Sequence, residues 1–280
     1  MMPMEVSRTA TPGSDTIRRA IVASVAMVYA TITVLIAAYP NEIMLNSPVS
    51  ATVTAGIAVS AAAAVVFRQK FGGLYGKTYV ALAIGLACWF AGELVYTYDS
   101  VIMGSSSSSL SLAEVPWLML YAFFGYYVFR TYRFFGYAVS RLHMISVLAG
   151  VSVLMAVTTY SILTALGPAV ENDQPLVIIR LIYPIGDAVL LGPSVLLLLT
   201  LRHGLLTYTP WLFVSVGLIL IAGADIAFSN MSLFQIDLGP VVYPLYSAGN
   251  VAFAGALLWY NRFGIYDHGK ALTAFQEGNR

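Results

Sequence analysis

The sequence predicts an all-α integral membrane protein, a polytopic bundle of eight transmembrane helices with both termini in the cytoplasm. Of its 280 residues, 59% are hydrophobic and only 10% are charged. Soluble domains carry about 25% charged residues because their surfaces face water, so lipid must surround most of this chain. Its length leaves room for eight apolar runs of about 20 residues, each able to cross a bilayer. The Lys and Arg residues also alternate from one side of these runs to the other.

The predicted membrane domain covers 17–262 and divides into halves at 17–135 and 136–262. Residues 1–16 are predicted to form a flexible cytoplasmic N-terminus, and 263–280 a cytoplasmic tail. The first apolar run is too long for a cleavable signal and lacks a clear cleavage site, so it is interpreted as a retained anchor helix. The eight spans are predicted at 18–39, 50–68, 78–98, 113–133, 142–166, 175–201, 210–231 and 240–261.

The basic residues orient the predicted bundle. Lys and Arg concentrate in alternate connecting segments, which the positive-inside rule places in the cytoplasm. The intervening segments carry acidic residues and no Lys or Arg, and only Arg180, within a span, breaks the pattern. The predicted cytoplasmic residues are Arg8, Arg18, Arg19, Arg68, Lys70, Lys77, Arg130, Arg133, Arg141, Arg202, Arg262, Lys270 and Arg280.

The two predicted halves resemble each other in sequence. The third and seventh spans align without a gap, so that Glu93 falls opposite Asp225 and Gly85 opposite Gly217. Four spans per half is an even number, which predicts a parallel 4+4 internal repeat about an axis along the membrane normal. The other matches are Tyr79 with Trp211, Tyr96 with Phe228, Arg68 with Arg202, Pro116 with Pro244 and Tyr121 with Tyr246.

Three acidic residues fall inside predicted spans at similar depths. Glu93 and Asp225 lie beyond the midpoints of spans that run outward, and Asp187 lies near the middle of the sixth span. A charged side chain at the centre of a membrane helix costs at least ~2.5–3.5 kcal/mol. The three carboxyl groups are therefore expected to face the bundle interior, where they predict a polar site at mid-depth or in the outer half of the membrane.

Helical spacing selects the residues that share a face with these acids. Pro184 removes a backbone hydrogen bond near Asp187, so a local kink is expected there. Gly186 permits another helix or a ligand to approach the backbone closely. Arg180 is the expected counter-charge for Glu93, Asp187 or an anionic ligand. The candidate ligand-binding residues are Trp89, Glu93, Tyr96, Glu114, Tyr121, Arg180, Tyr183, Asp187, Asp225, Tyr246 and Asn250, with Trp117 and Tyr243 on the same faces.

Two interpretations of these acids stay open. In the structural interpretation they hydrogen-bond to Arg, Tyr and Asn side chains and lock the bundle, although such bonds average only about 0.6 kcal/mol in a membrane. Arg180 would then extend to the outer lipid headgroups. In the functional interpretation the acids line a cavity, open to the outside, that binds a ligand or passes protons. The similar depth of the three acids favours the functional interpretation.

Residue counts exclude or disfavour several kinds of site. Cys88 is the only cysteine, which excludes an internal disulfide and a Cys-based metal site. All lysines lie outside the predicted spans, so no Schiff base with retinal can form inside the bundle. The histidines lie at the cytoplasmic edge without ligand-like spacing, so neither a metal site nor a cofactor is predicted. The chain has no room for a nucleic-acid-binding or soluble catalytic domain, and no catalytic residue is assigned.

Three stretches resemble the multi-span membrane sensor regions that lie N-terminal to bacterial diguanylate cyclases and histidine kinases. The stretches are WFAGELVYTYDS with SLAEVPWLMLY (Trp89–Ser100 and Ser111–Tyr121), LIYPIGDAVLL (Leu181–Leu191) and GADIAF (Gly223–Phe228). The resemblance implies a membrane-embedded input module for an undefined ligand. The positions that carry it are Glu93, Glu114, Asp187 and Asp225. In that group an output domain follows the last span, whereas only a short tail follows it here.

The predicted function is therefore a membrane ligand-binding or sensory module with an outward-facing polar site. Because no output domain follows the last span, the signal would leave through a separate cytoplasmic or membrane partner protein. The other expected partners are the lipid bilayer of the cell membrane and an unknown small ligand.

Three alternative functions stay open. A proton-coupled transporter is favoured by the repeat, the membrane acids and the proline in the sixth span. An accessory subunit of a larger membrane complex would need no site chemistry. A lysoplasmalogenase-like lipid hydrolase has a motif comparable to Gly186-Asp187, whose carboxyl group could act as a general acid or base. Its second acidic motif, however, lies much further along the chain than Asp225 does here.

Overall fold

The computed structural model is helical throughout the residues that it describes. Its seven α-helices correspond in order to the second through eighth predicted spans. The first predicted span, at 18–39, lies outside the described residues, together with the predicted N-terminus and almost all of the predicted tail. The described residues are 48–69, 73–104, 111–135, 140–166, 174–201, 208–234 and 238–265.

Each described helix lies close to its predicted span. The helices are α1 (Pro48–Gln69), α2 (Gly73–Thr97), α3 (Glu114–Phe135), α4 (Arg141–Leu166), α5 (Gln174–Leu201), α6 (Thr209–Phe234) and α7 (Gly239–Trp259). Helix α2 begins earlier than the predicted residue 78 and continues after its last residue through a π-helical turn, Tyr98–Ile102. A second π-helical turn, Tyr260–Ile265, extends α7.

Six of the described helices are long and apolar enough to cross a membrane. The exception is α3, which has 22 residues but contains Glu114, Arg130, Arg133 and many tyrosines, all of which lower its hydropathy. The number and apolar character of these helices make the chain a multi-pass helical membrane protein.

Six helices form a closed ring around a common interior. Successive neighbours in the ring are α1, α2, α3, α5, α6 and α7, and α7 packs against α1. Helix α4 lies outside the ring, against α5 and α6. Only 6% of its apolar stretch is buried, and its side chains Leu142, Ile145 and Tyr160 are exposed. An exposed apolar face of this size agrees with contact to lipid.

Large apolar side chains fill the ring interior at one end. The rings of Phe124 on α3 and Phe253 on α7 meet there, with their centroids 5.6 Å apart. Each ring also packs against a glycine of a neighbouring helix. A Cβ atom at Gly85 would lie 2.4 Å from the Phe124 ring, and one at Gly217 would lie 2.8 Å from the Phe253 ring. Both separations are too short for a side chain, so the packing of these rings requires glycine.

Helix α1 closes the ring with a face of small residues. Ala51, Ala55, Ala58 and Ala62 are buried and recur at helical spacing along it. Small residues at a membrane helix interface let the backbones approach closely. The Nδ2 atom of Asn250 on α7 accordingly donates a hydrogen bond directly to the carbonyl oxygen of Ala51, over 3.2 Å.

The close contact between α6 and α7 predicts that alanine at Gly217 lowers stability, whereas alanine at an open glycine position elsewhere does not. A Cβ at Gly217 would lie 3.0 Å from the carbonyl oxygen of Gly249, so Gly217→Ala is expected to lower the free energy of unfolding by about 1–3 kcal/mol, a typical cost of overpacking. Gly150→Ala on α4 meets nothing within 4 Å and is expected to be neutral or stabilising. Denaturant unfolding in detergent, followed by circular dichroism, measures both. Equal stability of the two variants would contradict the close contact.

Candidate functional site

A cavity lies inside the ring, towards the end away from the Phe124–Phe253 contact. The C-terminal halves of α2 and α6 and the N-terminal halves of α3, α5 and α7 form its wall. The volume open to the centres of water-sized molecules is about 40 Å³, enough for roughly three waters at about 10–15 Å³ each. The lining residues are Trp89, Glu93, Tyr96, Glu114, Trp117, Leu120, Tyr121, Arg180, Tyr183, Asp225, Phe228, Ser229, Tyr243 and Tyr246.

All the predicted ligand-binding residues except Asp187 and Asn250 line this cavity. Asn250 is completely buried and points to α1, where its Nδ2 donates to the carbonyl oxygen of Ala51 and to Oγ1 of Thr54. This corrects the predicted position of Asn250. Helical spacing put Asn250 on the face of Tyr246, but α7 is buried on several sides, and spacing alone could not choose between the cavity and α1.

Asp225 and Asp187 connect four helices through a chain of hydrogen bonds. The hydroxyl of Tyr246 on α7 donates to Oδ1 of Asp225 on α6, over 2.6 Å. The hydroxyl of Tyr121 on α3 donates to Oδ1 of Asp187 on α5, over 2.8 Å. The carboxyl groups of Asp187 and Asp225 also interact with each other. A direct hydrogen bond between them would require a proton on one of them, because a carboxylate can only accept.

Gly186 makes the bond between Tyr121 and Asp187 possible. A Cβ at position 186 would lie 2.6 Å from the Tyr121 ring, so this ring rests directly against the α5 backbone. The predicted close approach at Gly186 is therefore confirmed. Near this contact the hydroxyl of Tyr183 donates to Oε2 of Glu114, which forms a second link between α3 and α5.

Glu93 differs from the other acids of the site because no described side chain donates a hydrogen bond to its carboxylate. Its side chain is only 3% exposed, and no hydrogen bond or ion pair to its carboxylate occurs within the described part of the chain. It interacts electrostatically with Asp225, a group of the same charge type. Burying an unpaired carboxylate is costly. This position therefore requires a proton, a cation or water in the cavity.

A continuous set of aromatic rings lines the same cavity as Glu93. This aromatic belt consists of Tyr246, Trp89, Trp117, Tyr96 and Phe228, all of which line the cavity. Successive rings are in contact, with centroid separations of 5.2, 6.4, 5.5 and 6.0 Å in that order. Two members of the belt flank Glu93 on its own helix, four residues before it and three after it, and so share its face.

Arg180 lines the cavity, but among the described residues it forms no ion pair with Glu93, Asp187 or any other carboxylate. Asp187 instead accepts a hydrogen bond from Tyr121, so within the described part of the chain the expected pairing of Arg180 with a membrane acid is not formed. Its side chain is partly exposed, which leaves the guanidinium group accessible to water, to lipid headgroups or to a ligand.

The cavity is also lined by three residues that the sequence interpretation did not select, Leu120, Phe228 and Ser229. Phe228 enters that interpretation only as the repeat match of Tyr96, and that match could have identified it. Ser229 lies four residues after Asp225, a spacing that places both on one helix face and could have identified it. Leu120 is an apolar residue in an apolar helix, so no sequence signal distinguishes it from the packed core.

Part of the motif SLAE has a structural role. The hydroxyl of Ser111 donates to Oδ2 of Asp99 over 2.7 Å and accepts from the backbone N–H of Ala113 over 3.2 Å. Ser111 therefore orders the turn that precedes α3 and ties it to the π-helical turn after α2. Neither Ser111 nor Asp99 lines the cavity.

The carboxyl groups of the site do not form a metal centre. Within the described ranges no group of three or more His, Cys, Asp or Glu side chains is arranged to hold a metal ion. The acids are instead directed to tyrosines, to each other or to the cavity.

No family model matches the chain, and no curated protein or solved structure matches it significantly. The function is therefore argued from the geometry and chemistry of the cavity.

The hydrogen-bonded chain predicts energetic coupling between Tyr121 and Tyr246. Tyr121→Phe and Tyr246→Phe each remove one bond and are expected to lower the free energy of unfolding by about 0.6–1.7 kcal/mol. The double variant is expected to depart from additivity by at least ~0.5 kcal/mol, because the Asp187–Asp225 pair joins the two bonds. Denaturant unfolding in detergent measures all three variants.

The control for this cycle is Tyr160→Phe, at an exposed position on α4, which is expected to leave stability unchanged. Strictly additive losses in the double variant would show that the two bonds are independent and that no connected chain exists.

Proposed function

We propose that this chain is an integral membrane protein that binds a small ligand in its cavity and acts as the input module for a separate signalling partner. The observation that carries this proposal is the buried carboxylate of Glu93, which lines the cavity without a protein partner among the described residues. A buried polar group that serves only the bundle is normally hydrogen-bonded within it. An unpaired acid beside a cavity is the arrangement expected where a ligand completes the site.

The hydrogen bonds across the cavity would couple ligand binding to the packing of the helices. They join α3 to α5 twice and α6 to α7 once, through Tyr121 and Asp187, Tyr183 and Glu114, and Tyr246 and Asp225. A ligand that engages one of these acids competes with its tyrosine and so favours a different arrangement of the helices. The partner protein would recognise that arrangement by binding at the cytoplasmic end of the bundle.

The resemblance to bacterial membrane sensor regions supports the same function. Three of the four acids that carry it, Glu93, Glu114 and Asp225, line the cavity. The fourth, Asp187, accepts a hydrogen bond from Tyr121 and interacts with Asp225, and both of these residues line the cavity. The positions that the resemblance selects by motif are thus the positions that the fold gathers around one space.

The proposed topology has eight spans, cytoplasmic termini and a cavity on the outer side of the membrane. The alternation of Lys and Arg supports this orientation. Arg68 at the end of α1 donates to Oδ1 of Asn261 over 3.1 Å, next to Arg262, so basic residues of two helices gather at the bundle end away from the cavity.

The proposed parallel 4+4 repeat is supported by contacts between matched residues. Glu93 interacts electrostatically with Asp225, and the rings of Tyr96 and Phe228 lie 6.0 Å apart. The glycine–phenylalanine contact between α2 and α3 recurs between α6 and α7. The ring order supports the repeat as well, because a two-fold rotation that exchanges α1–α2–α3 with α5–α6–α7 leaves the order unchanged.

A proton-coupled transporter is the second candidate, favoured by the pair of Asp187 and Asp225. Two carboxyl groups that share a proton can release it or take it up as a substrate binds nearby. Asp187 also borders a smaller cleft, on the side of the bundle where α4, α5 and α6 meet. Substrate flux into proteoliposomes that responds to a pH gradient would favour transport, and ligand binding without flux would favour the input module.

The outward-facing cavity predicts the labelling of two cysteines introduced on α6 in a Cys88→Ala background. Ser229→Cys is expected to react with a membrane-impermeant thiol reagent added outside, because Ser229 lines the cavity. Ser215→Cys, at a buried position on the same helix, is the control and is expected to stay unlabelled. A gel-shift assay on intact cells and on inverted vesicles measures both.

Reaction of Ser229→Cys in inverted vesicles but not in intact cells would reverse the proposed orientation. Absence of reaction from both sides, with the protein folded, would mean that the cavity is sealed and would count against ligand entry from water.

A further inference from the structure

The charges around the cavity restrict the class of ligand. Glu93, Glu114 and Asp225 line it, against a single basic side chain, Arg180, among the described residues. Tyr183 and Tyr246 bond two of these acids, and Glu93 stays unpaired. An anionic ligand would meet an excess of carboxyl groups, and an uncharged apolar ligand would leave the buried Glu93 without a partner. A cation is attracted by the carboxyl groups and also gives Glu93 a partner.

The aromatic belt distinguishes an organic cation from a metal ion. The faces of Trp, Tyr and Phe rings attract cations, contributing roughly 0.5–2 kcal/mol at a desolvated site. Their carbon edges also contact alkyl groups favourably. A hard metal ion instead needs about six oxygen ligands, and the described residues contain no cluster of metal-ligating side chains. The five rings that line the cavity together with Glu93 therefore match a cation with an apolar surface.

The size of the cavity sets an upper limit on the ligand. About 40 Å³ is open to the centres of water-sized molecules, which corresponds to the space of roughly three waters. A substituted ammonium group with a short side chain fits such a space. A complete phospholipid or a nucleotide is far larger and does not.

We propose that the ligand is a small organic cation of the ammonium class, whose charge pairs with Glu93 while its alkyl groups contact the aromatic belt. This inference rests on the proposed ligand-binding function and specifies the chemistry of the same site. Trp89 and Trp117 belong to the belt, so an ammonium ion bound beside Glu93 would change the intrinsic tryptophan fluorescence of the protein.

The test uses the full chain in nanodiscs, with methylammonium, ethylammonium and ethanolamine as probes. Fluorescence titration and calorimetry measure binding at constant ionic strength. At least one probe is expected to bind saturably. The uncharged isostere of ethanolamine, 1-propanol, in which a methyl group replaces the ammonium group, is expected to bind about tenfold more weakly or worse. Sodium chloride alone is expected to give no saturable response.

Two carboxyl-to-amide variants assign the binding to a residue. Glu93→Gln removes the charge at the site and is expected to weaken binding at least about tenfold. Asp99→Asn is the matched control, because Asp99 follows the same helix but lies outside the cavity, and it is expected to change the affinity less than about twofold. The isostere comparison uses the unmodified chain and keeps the test decisive if Glu93→Gln does not fold.

Each unexpected result identifies what has failed. If the isostere binds as tightly as ethanolamine, the cavity binds uncharged ligands and the cation proposal is wrong, while ligand binding stands. A saturable response to sodium chloride that Glu93→Gln abolishes would assign the site to an inorganic cation. If no probe binds although Ser229→Cys is labelled from outside, the ammonium class is overturned. If neither binding nor labelling occurs, the proposed function fails with it.

Discussion

The structure depends on one constraint, which is that an acid inside a lipid-solvated bundle must find a partner within that bundle. Water cannot supply one in the hydrocarbon region, and each unsatisfied group is costly. The tyrosines of the cavity wall meet this requirement. Tyr246 donates to Asp225 and Tyr121 donates to Asp187, from helices other than those that carry the acids. The requirement for hydrogen-bond partners therefore also sets which helices are neighbours around the cavity.

Packing determines where the aromatic side chains of the cavity wall can lie. Gly186 removes the side chain that would otherwise separate Tyr121 from α5, and Gly92 does the same for Trp117, whose indole would lie 2.4 Å from a Cβ at that position. Farther along the bundle, glycines receive Phe124 and Phe253 in the same way. In a membrane, where the hydrophobic effect does not bring helices together, close contacts of this kind supply much of the association energy.

Glu93 is the exception among the acids of the site. Its side chain is as buried as that of Asp187 and more buried than those of Glu114 and Asp225, yet no described side chain donates a hydrogen bond to its carboxylate. The rings around it would suit the hydrocarbon surface of a ligand, and the acid would suit its charge. Glu93 interacts with Asp225, and the hydrogen bonds of Asp225 and Asp187 involve four helices. The ligand proposed to bind at Glu93 would therefore lie beside side chains that connect these helices.

The sequence alone predicts the class of protein, the positions of the seven described helices and most of the cavity wall, because apolar runs and buried acids leave few alternatives in a membrane. Helical periodicity placed Trp89, Glu93 and Tyr96 on one face correctly. Periodicity describes one helix at a time, however, and cannot show which helix that face meets. The order of helices around the ring can be seen only in the folded bundle. That order turns Asn250 to α1, leaves Arg180 without a described acid as its partner, and brings Asp187 to the hydroxyl of Tyr121 and close to Asp225.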